Sequence, residues 1–369
     1  MKKKKSKIRI AALADLHITS RLPYTPIGDS FRKDKLIEFF HHSFKIIVEK
    51  KVDIIMVAGD ILHQTAVDPD GLDLLTCFVE LSRISGIPNI VVSGNHDIDR
   101  KDSILKFLKR INQDRVIFHY SPKTSEYIFA DLNIRVVAIP SMSEKLFVKK
   151  AIEEGILEKD RRSESFYNIL LGHQGIKGAV HGSLESFHGI EKKDIEKISK
   201  LYDLILLGHF HKFQAICENG IFIGPIQQTR IDEVSIDPGF IIIDLPDMKI
   251  VHIENKLSPR FKIIEYGSSI VGSEMEGNIV KPIIDPENNT EEENKKFISD
   301  IRICDPYYLI QPKLKKTYSL TKNYKKKESL TKEEVILKTL KNMNIREERR
   351  EEIEKETLDF YRRMSDGNL

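Results

Sequence analysis

Short motifs of histidines, carboxylates and one amide recur along the first two thirds of the sequence. In chain order they are Asp-x-His, Gly-Asp, Gly-Asn-His-Asp, Gly-His and Gly-His-x-His. Their candidate metal ligands are Asp15, His17, Asp60, Asn95, His173, His209 and His211. The set contains no thiolate, so it suits Mn²⁺, Fe²⁺ or Zn²⁺ better than Ca²⁺ or copper.

Seven ligands are too many for one ion, whereas two ions that share a carboxylate would use them all. A metal pair about 3.5–4 Å apart activates water and binds a phosphoryl group, so the set predicts a two-metal hydrolytic centre. Any one motif alone could be a polar turn, because turns favour Gly, Asn and Asp. The occurrence of all five motifs along one chain is what predicts a catalytic centre.

Each motif follows an apolar run that predicts a buried β-strand. In most cases a glycine stands just before the polar residues. Between the strands, apolar periodicity predicts helices over residues 31–50, about 71–85 and about 143–154. Strands and helices therefore alternate, and open α/β sheets place their chemistry at the carboxyl ends of the strands. We expect the five motifs to meet there.

The five motifs in this order resemble the signatures of the calcineurin-like metallophosphoesterase superfamily, over roughly residues 7–255. The resemblance implies an α/β fold, a four-layer sandwich of two mixed β-sheets flanked by helices. It also implies that Asp60 bridges two divalent ions, with Mn²⁺ expected and Mg²⁺, Fe²⁺ or Zn²⁺ as alternatives. The first ion would be bound by Asp15, His17, Asp60 and His211, and the second by Asp60, Asn95, His173 and His209.

Two further histidines are expected to act on the substrate. His96 follows Asn95 but is assigned to neither metal, so it is the candidate acid that protonates or stabilises the departing sugar oxygen. His63 is a second candidate near the leaving group or the strand end.

Within the superfamily, several features are similar to SbcD-type nuclease subunits of DNA double-strand-break repair complexes. Gly59-Asp60-x-x-His63 lacks the Asp-Arg-Gly continuation of protein phosphatases, Gln174 follows His173, and residues 224–229 read Gly-Pro-Ile-Gln-Gln-Thr. The resemblance implies a Mn²⁺-dependent DNA nuclease with 3′-to-5′ exonuclease and endonuclease activities. It further implies an SMC-like coiled-coil ATPase partner, a homodimer within a heterotetramer, and a role in DNA repair and recombination.

The domain pattern agrees with that resemblance. We predict a nuclease domain over residues 1–255, a small α+β capping domain over 256–311, a basic linker over 312–330, and a C-terminal two-helix element over 331–369. The two helices either bind the ATPase coiled coil, as the resemblance implies, or pack on the core as a hairpin. Capping boxes at Thr290-x-x-Glu293 and Thr331-x-x-Glu334 predict helix starts.

The linker is either a solvated connection or a DNA-binding segment, because lysines contact phosphates and tyrosines stack on bases. Its candidate DNA-binding residues are Lys315, Lys316, Lys325 and Lys326.

Composition narrows the class of protein only slightly. The 369 residues carry 59 basic and 56 acidic side chains, so the net charge of +3 neither demands nor excludes a polyanionic partner. No apolar run reaches ~18 residues, and the basic N-terminus leads into a strand and not into a signal region, which predicts a cytoplasmic protein without a membrane partner. Three isolated cysteines argue against a disulfide framework.

Two other functions stay open. A stand-alone phosphodiesterase or phosphatase on a small nucleotide or lipid would use the same centre. A scaffold with vestigial catalysis would keep the fold, but the complete ligand set argues against it. Cleavage of duplex DNA compared with that of a small phosphodiester separates the first alternative from the nuclease.

Overall fold

A computed structural model of the chain describes residues 7–19, 22–26, 29–65, 67–98, 104–109, 118–161, 166–181, 184–269, 271–314 and 355. The helices are α1 (Phe31–Glu49), α2 (Pro69–Ser85), α3 (Glu144–Arg161), α4 (Lys192–Ser199), α5 (Gly272–Met275) and α6 (Glu291–Ile303), and 3-10 turns span Ile104–Lys109, Ala130–Leu132 and Ile231–Glu233. The strands are β1 (Ile8–Leu13), β2 (Ile54–Ala58), β3 (Asn89–Val92), β4 (Phe118–Ser121), β5 (Ser125–Phe129), β6 (Ile134–Ile139), β7 (Tyr167–His173), β8 (Val180–His181), β9 (Leu184–Glu185), β10 (Leu204–Gly208), β11 (Gln214–Cys217), β12 (Gly220–Phe222), β13 (Gly239–Leu245), β14 (Lys249–Glu254), β15 (Phe261–Glu265), β16 (Ile279–Ile284), β17 (Tyr308–Leu309) and β18 (Lys313–Leu314).

Two mixed six-stranded sheets form the centre of the fold. The first has the order β14-β13-β1-β2-β3-β4, and the second has the order β11-β12-β10-β7-β6-β5. Strands β1 to β4 run parallel, and β13 and β14 add an antiparallel edge. In the second sheet β12, β10, β7 and β6 are parallel, with antiparallel β11 and β5 at the edges. The predicted α/β class with two mixed sheets is confirmed.

The inner strands of the two sheets, such as β2, β3, β7 and β10, are buried along their whole length because both of their faces are covered. Along β1, Ile10 and Ala12 belong to a cluster that joins the two sheets, whereas Ala11 and Leu13 belong to the cluster beneath α1 and α2. A third cluster lies between the second sheet and helices α3 and α4. The layers are therefore helix, sheet, sheet and helix.

Local sequence signals define both ends of α2 and the start of α6. The Asp68 side chain accepts a hydrogen bond from the backbone N–H of Gly71, Pro69 occupies the first turn, and Gly86 ends α2 in a left-handed conformation at φ 67°. At α6 the predicted capping box is confirmed, because Thr290 accepts from the N–H of Glu293 and Glu293 accepts from the N–H of Thr290.

Helix α3 is longer than predicted. The predicted helix ends near residue 154, just before Gly155, a residue type that usually weakens a helix. In the structure a Cβ on Gly155 would lie 2.7 Å from the Cβ of Leu201, so glycine permits close packing and the helix continues to Arg161.

The chain beyond β14 forms a smaller sheet. Strands β15, β16 and β17 pair in parallel, β18 also pairs with β16, and α6 packs on the sheet through Phe297 and Ile301. Its status as a separate capping domain stays a prediction.

Residues 315–330 of the predicted linker, with all four candidate DNA-binding lysines, lie outside the described residues. So does the predicted two-helix element, apart from residue 355. None of the helices in the described ranges is long and apolar enough to span a membrane.

Candidate metal centre

The seven predicted ligands lie at the carboxyl ends of five strands that come from both sheets. Asp15 and His17 follow β1, Asp60 follows β2, and Asn95 follows β3. His173 ends β7, and His209 and His211 follow β10. Backbone hydrogen bonds from Asp15 to Gly59 and from His17 to Asp60, each 3.0 Å long, join the first two loops.

Glycine precedes the motifs because backbones approach closely at these points. A Cβ on Gly208 would lie 2.1 Å from the carbonyl oxygen of Ala58 in the other sheet. A Cβ on Gly94 would lie 2.0 Å from Oδ1 of Asp60 and 2.3 Å from its backbone nitrogen. Gly208 therefore lets the two sheets meet at the centre, and Gly94 lets the loops after β2 and β3 approach each other.

The side chains form two adjacent groups. In the first, Nε2 of His17 lies 3.0 Å from Nε2 of His211, which lies 3.9 Å from Oδ1 of Asp15. In the second, Oδ1 of Asn95 lies 3.1 Å from both Nε2 of His173 and Nδ1 of His209. These atoms are polar and face one another.

Asp60 lies between the two groups. Its Oδ2 is 3.4 Å from Nε2 of His173 and 3.9 Å from Nε2 of His17. Its Oδ1 accepts a hydrogen bond from the backbone N–H of His96 at 2.9 Å. One carboxylate oxygen is thus directed toward both groups, as a bridging ligand requires.

The spacing of these atoms fits divalent cations. Ligands bound at about 2.0–2.2 Å around a tetrahedral or octahedral ion are separated by about 3.0–3.5 Å, which is close to the distances within both groups. His17 and His211 direct ring nitrogens at each other, although two lone pairs there would repel. A cation between them would satisfy both nitrogens. The donor set, imidazole with carboxylate and amide, also suits such ions.

The electrostatics of the centre attract positive charge. Burial opposes ionisation of both Asp60 and His173, but their mutual attraction outweighs it, holding the pKa of Asp60 well below its usual range and raising the pKa of His173 to about 9. Burial, with repulsion by His211, lowers the pKa of His17, so its ring is neutral and able to bind a metal. Burial raises the pKa of Asp15 to about 6.

Several predicted ligands have strained backbones. The φ angles are 49° at Asp15, 44° at His17, 49° at Asp60 and 98° at His209, all in the left-handed region. Non-glycine residues there cost about 1–3 kcal/mol each and persist where the surrounding structure enforces them, commonly at functional sites.

His96 and His63 lie together beside the first group. Nδ1 of His96 donates to the backbone carbonyl of His63 at 2.7 Å, and the two rings stack with centroids 5.8 Å apart. The His96 ring also meets His17 edge-on at 5.0 Å. Burial, then repulsion by His96, lowers the pKa of half-buried His63. Both candidates therefore border the centre.

Two buried carboxylates were not predicted to have a role. Asp97 accepts hydrogen bonds from the backbone N–H groups of Leu62 and Gly94, and thereby fixes the loops that carry Asp60 and Asn95. Glu233 accepts a 2.7 Å hydrogen bond from Nδ1 of His211. The sequence signal for both is weak, because the backbone N–H groups that these carboxylates bind are not marked by any residue type.

Gly94→Ala is expected to destabilise the fold and the centre together. Its methyl group would overlap backbone and carboxylate atoms of Asp60, which cannot move without displacing β2, so we expect a loss of about 1–3 kcal/mol in unfolding free energy and weaker Mn²⁺ binding. Urea denaturation and Mn²⁺ titration measure the two effects. Gly272→Ala, where the nearest atom is 3.9 Å away, is the control. Equal behaviour of both variants would contradict the close approach.

Comparison with known proteins agrees with this geometry. Residues 8–213 match the family described as calcineurin-like phosphoesterase. The DNA double-strand break repair protein Mre11 of Sulfurisphaera tokodaii is 26% identical over 209 residues, which cover 56% of this chain and 49% of that protein. The protein of the same name from Methanopyrus kandleri is 23% identical over 181 residues, which cover 47% of this chain and 39% of that protein. The chain thus spans about half, or less, of the length of these curated relatives.

Solved structures also show similarity. A dimetal phosphatase from Danio rerio is 12% identical, with a TM-score of 0.44, over 67% of this chain and 96% of that one. The family match itself covers more than half of the chain and contains all five motifs. The chain belongs to the calcineurin-like phosphoesterase family.

Proposed function

We propose that this protein is a Mn²⁺-dependent DNA nuclease of the SbcD type, with 3′-to-5′ exonuclease and endonuclease activities. Family membership makes it a metal-dependent phosphoester hydrolase that uses divalent ions. The observation that carries the proposal further is the convergence of the six other predicted ligands into two groups around Asp60, with His96 and His63 beside them. The identity of the metal and the polarity of cleavage are part of the proposal.

In phosphodiester hydrolysis, the chain's own residues would bind the two metal ions and hold the loops that carry their ligands. When bound, two divalent ions lower the pKa of water and neutralise charge on phosphoryl oxygens. Asp15, His17, Asp60 and His211 would hold the first ion, and Asp60, Asn95, His173 and His209 the second. Asp60 would be the ligand that the two ions share. Asp97 orients the loops that carry Asp60 and Asn95.

His96 would act on the leaving group. Because its Nδ1 donates to the carbonyl of His63, Nε2 is the atom that remains to face the substrate. A charged His96 ring would donate its Nε2 proton to the departing sugar oxygen, a role worth about 10²–10⁴-fold in rate. His63 stacks on His96 and would contact the leaving group or the strand end.

The choice of DNA as substrate is supported by similarity and by one motif. Two of the curated relatives are named as DNA double-strand break repair proteins. Gly59-Asp60-x-x-His63 differs from the protein phosphatases and places His63 beside His96. An SMC-like ATPase partner, a homodimer within the heterotetramer, a cytoplasmic location and DNA contacts by Lys315, Lys316, Lys325 and Lys326 belong to the same proposal and stay predictions.

Duplex DNA and bis-p-nitrophenyl phosphate should both be hydrolysed when Mn²⁺ is present. The small diester tests the chemical centre alone, whereas labelled DNA tests substrate class. Chelation of the metal should abolish both reactions. DNA labelled at either end in separate assays reports polarity.

The outcomes separate the alternatives. Turnover of the small ester without DNA cleavage, even when the ATPase is added, would favour a stand-alone phosphodiesterase on a small nucleotide or lipid. Failure of both substrates with bound Mn²⁺ would favour a scaffold that keeps the fold without catalysis.

A further inference from the structure

Glu233 is a buried carboxylate that contacts the centre without belonging to the predicted ligand set. It is 1% exposed and ends the 3-10 turn Ile231–Glu233 between β12 and β13. Its Oε1 lies 2.7 Å from Nδ1 of His211. Its Oε2 accepts from the backbone N–H groups of Thr229 and Arg230 at 2.6 and 3.2 Å.

This hydrogen bond determines which nitrogen of His211 carries the proton. A carboxylate oxygen only accepts, so Nδ1 of His211 must donate. In the neutral ring, the form that can bind a metal, Nε2 then has the lone pair, and it is the atom that lies 3.0 Å from Nε2 of His17 and 3.9 Å from Oδ1 of Asp15. The proton is therefore directed away from the first group.

A charged partner distinguishes His211 from its neighbours. The Nδ1 atoms of His173 and His96 donate to backbone carbonyls, of Ala58 and His63 respectively. A carboxylate partner raises the basicity of a metal-binding imidazole and orients its ring, and such partners typically change metal affinity about 10–100-fold.

The turn that holds Glu233 has other support. The side-chain amide of Gln228 donates to the backbone carbonyls of Glu233 and Ile236, both at 2.8 Å. Buried Arg32 donates to the carbonyl of Gln228 at 2.8 Å. The turn is thus held by contacts of Gln228 and Arg32 in addition to those of the Glu233 side chain.

We infer that Glu233 is a positioning residue that holds His211 in its Nδ1-protonated form and thereby sets the affinity of one of the two cation sites. The inference rests on the proposed function, because it requires His211 to be a ligand.

Glu233→Gln tests it with little change in shape. If the amide oxygen keeps the two backbone hydrogen bonds, the amide NH₂ faces Nδ1 of His211, which must then accept and carry its proton on Nε2. We expect Mn²⁺ affinity at one site to fall about 10–100-fold while the second site is unchanged. Calorimetric titration measures the two affinities, and the visible spectrum of the Co²⁺-loaded protein should change.

Two control variants distinguish an effect of the His211 tautomer on Mn²⁺ affinity from effects of local charge and of the turn structure. Asp232→Asn removes the same charge one residue away, from a carboxylate paired with Arg230 at the surface, and should bind both ions normally. Thr229→Val removes a hydroxyl contact with Glu233 while leaving the His211 hydrogen bond in place. Weakening by Thr229→Val as large as that by Glu233→Gln would assign the effect to the turn and overturn the inference.

The unchanged protein gives a further test that does not depend on a variant folding. In the Zn²⁺-loaded protein, nitrogen NMR of His211 should show a protonated Nδ1, and a proton on Nε2 would overturn the inference. Unchanged Mn²⁺ binding by Glu233→Gln would overturn it as well and leave the proposed function intact. Failure of the unchanged protein to bind Mn²⁺ would instead overturn the proposed function.

Discussion

His96→Asn is expected to bind Mn²⁺ as tightly as the unchanged protein and to lose about 10²–10⁴-fold in phosphodiester turnover. Residue 96 contacts Asp60 through its backbone N–H, which donates a hydrogen bond to the carboxylate. The substitution leaves this hydrogen bond in place. The asparagine amide can still donate to the carbonyl of His63. What disappears is an imidazole nitrogen able to give up a proton next to the leaving oxygen.

Mn²⁺ titration and initial rates on bis-p-nitrophenyl phosphate measure the two quantities. His42→Asn, on the exposed face of α1, is the matched control and should leave both unchanged. Near-normal turnover by His96→Asn with retained Mn²⁺ would remove His96 from the mechanism. Loss of Mn²⁺ would instead make it a ligand, which its position near His17 and Asp60 permits geometrically.

Asp60→Asn is expected to weaken Mn²⁺ binding at both sites, by at least about 100-fold, since removal of a bridging ligand should exceed the effect of removing an outer partner. The carboxylate oxygen that lies between His17 and His173 would lose its charge, so neither ion would retain its shared ligand. Turnover should fall to background for every phosphoester.

The same substitution should change a measurable proton equilibrium in the metal-free protein. Burial disfavours the charged form of His173, and attraction by Asp60 raises its pKa to about 9, so loss of the carboxylate should bring that pKa down. NMR titration of His173 reports this change. Asp70→Asn, which removes an exposed carboxylate paired with Lys33, is the control. Retention of two tightly bound Mn²⁺ ions by Asp60→Asn would contradict the bridging role.

Much of the fold could be predicted from local pattern. The apolar runs of β1, β2, β3, β7 and β10 leave no choice but burial on both faces, and the glycines mark where the sheets approach each other. Helix α1 ends within one residue of its predicted end because its apolar face is continuous. Helix α2 begins two residues before its prediction, since the Asp68 cap and Pro69 define its start.

Other features depend on contacts that a single sequence does not display. Periodicity cannot show that β3 and β7 belong to different sheets, because both are continuous apolar runs, and only the family resemblance implied two sheets. The partnership of Glu233 with His211 joins residues 22 positions apart through a turn with weak sequence signals. Gly155 is a residue type that usually weakens a helix, yet it lies inside α3, where close packing against Leu201 leaves no room for a Cβ.

Glycine would adopt the left-handed backbone of Asp15, His17 and Asp60 more easily than the native residues do. Relief of about 1–3 kcal/mol of strain at each position would be offset at Asp15 and Asp60, because their carboxylates accept hydrogen bonds from the backbone N–H groups of His209 and His96. These side chains therefore stabilise the strained backbone that presents them. A substitution chosen to relieve the strain would also remove the contacts that hold the loops in place.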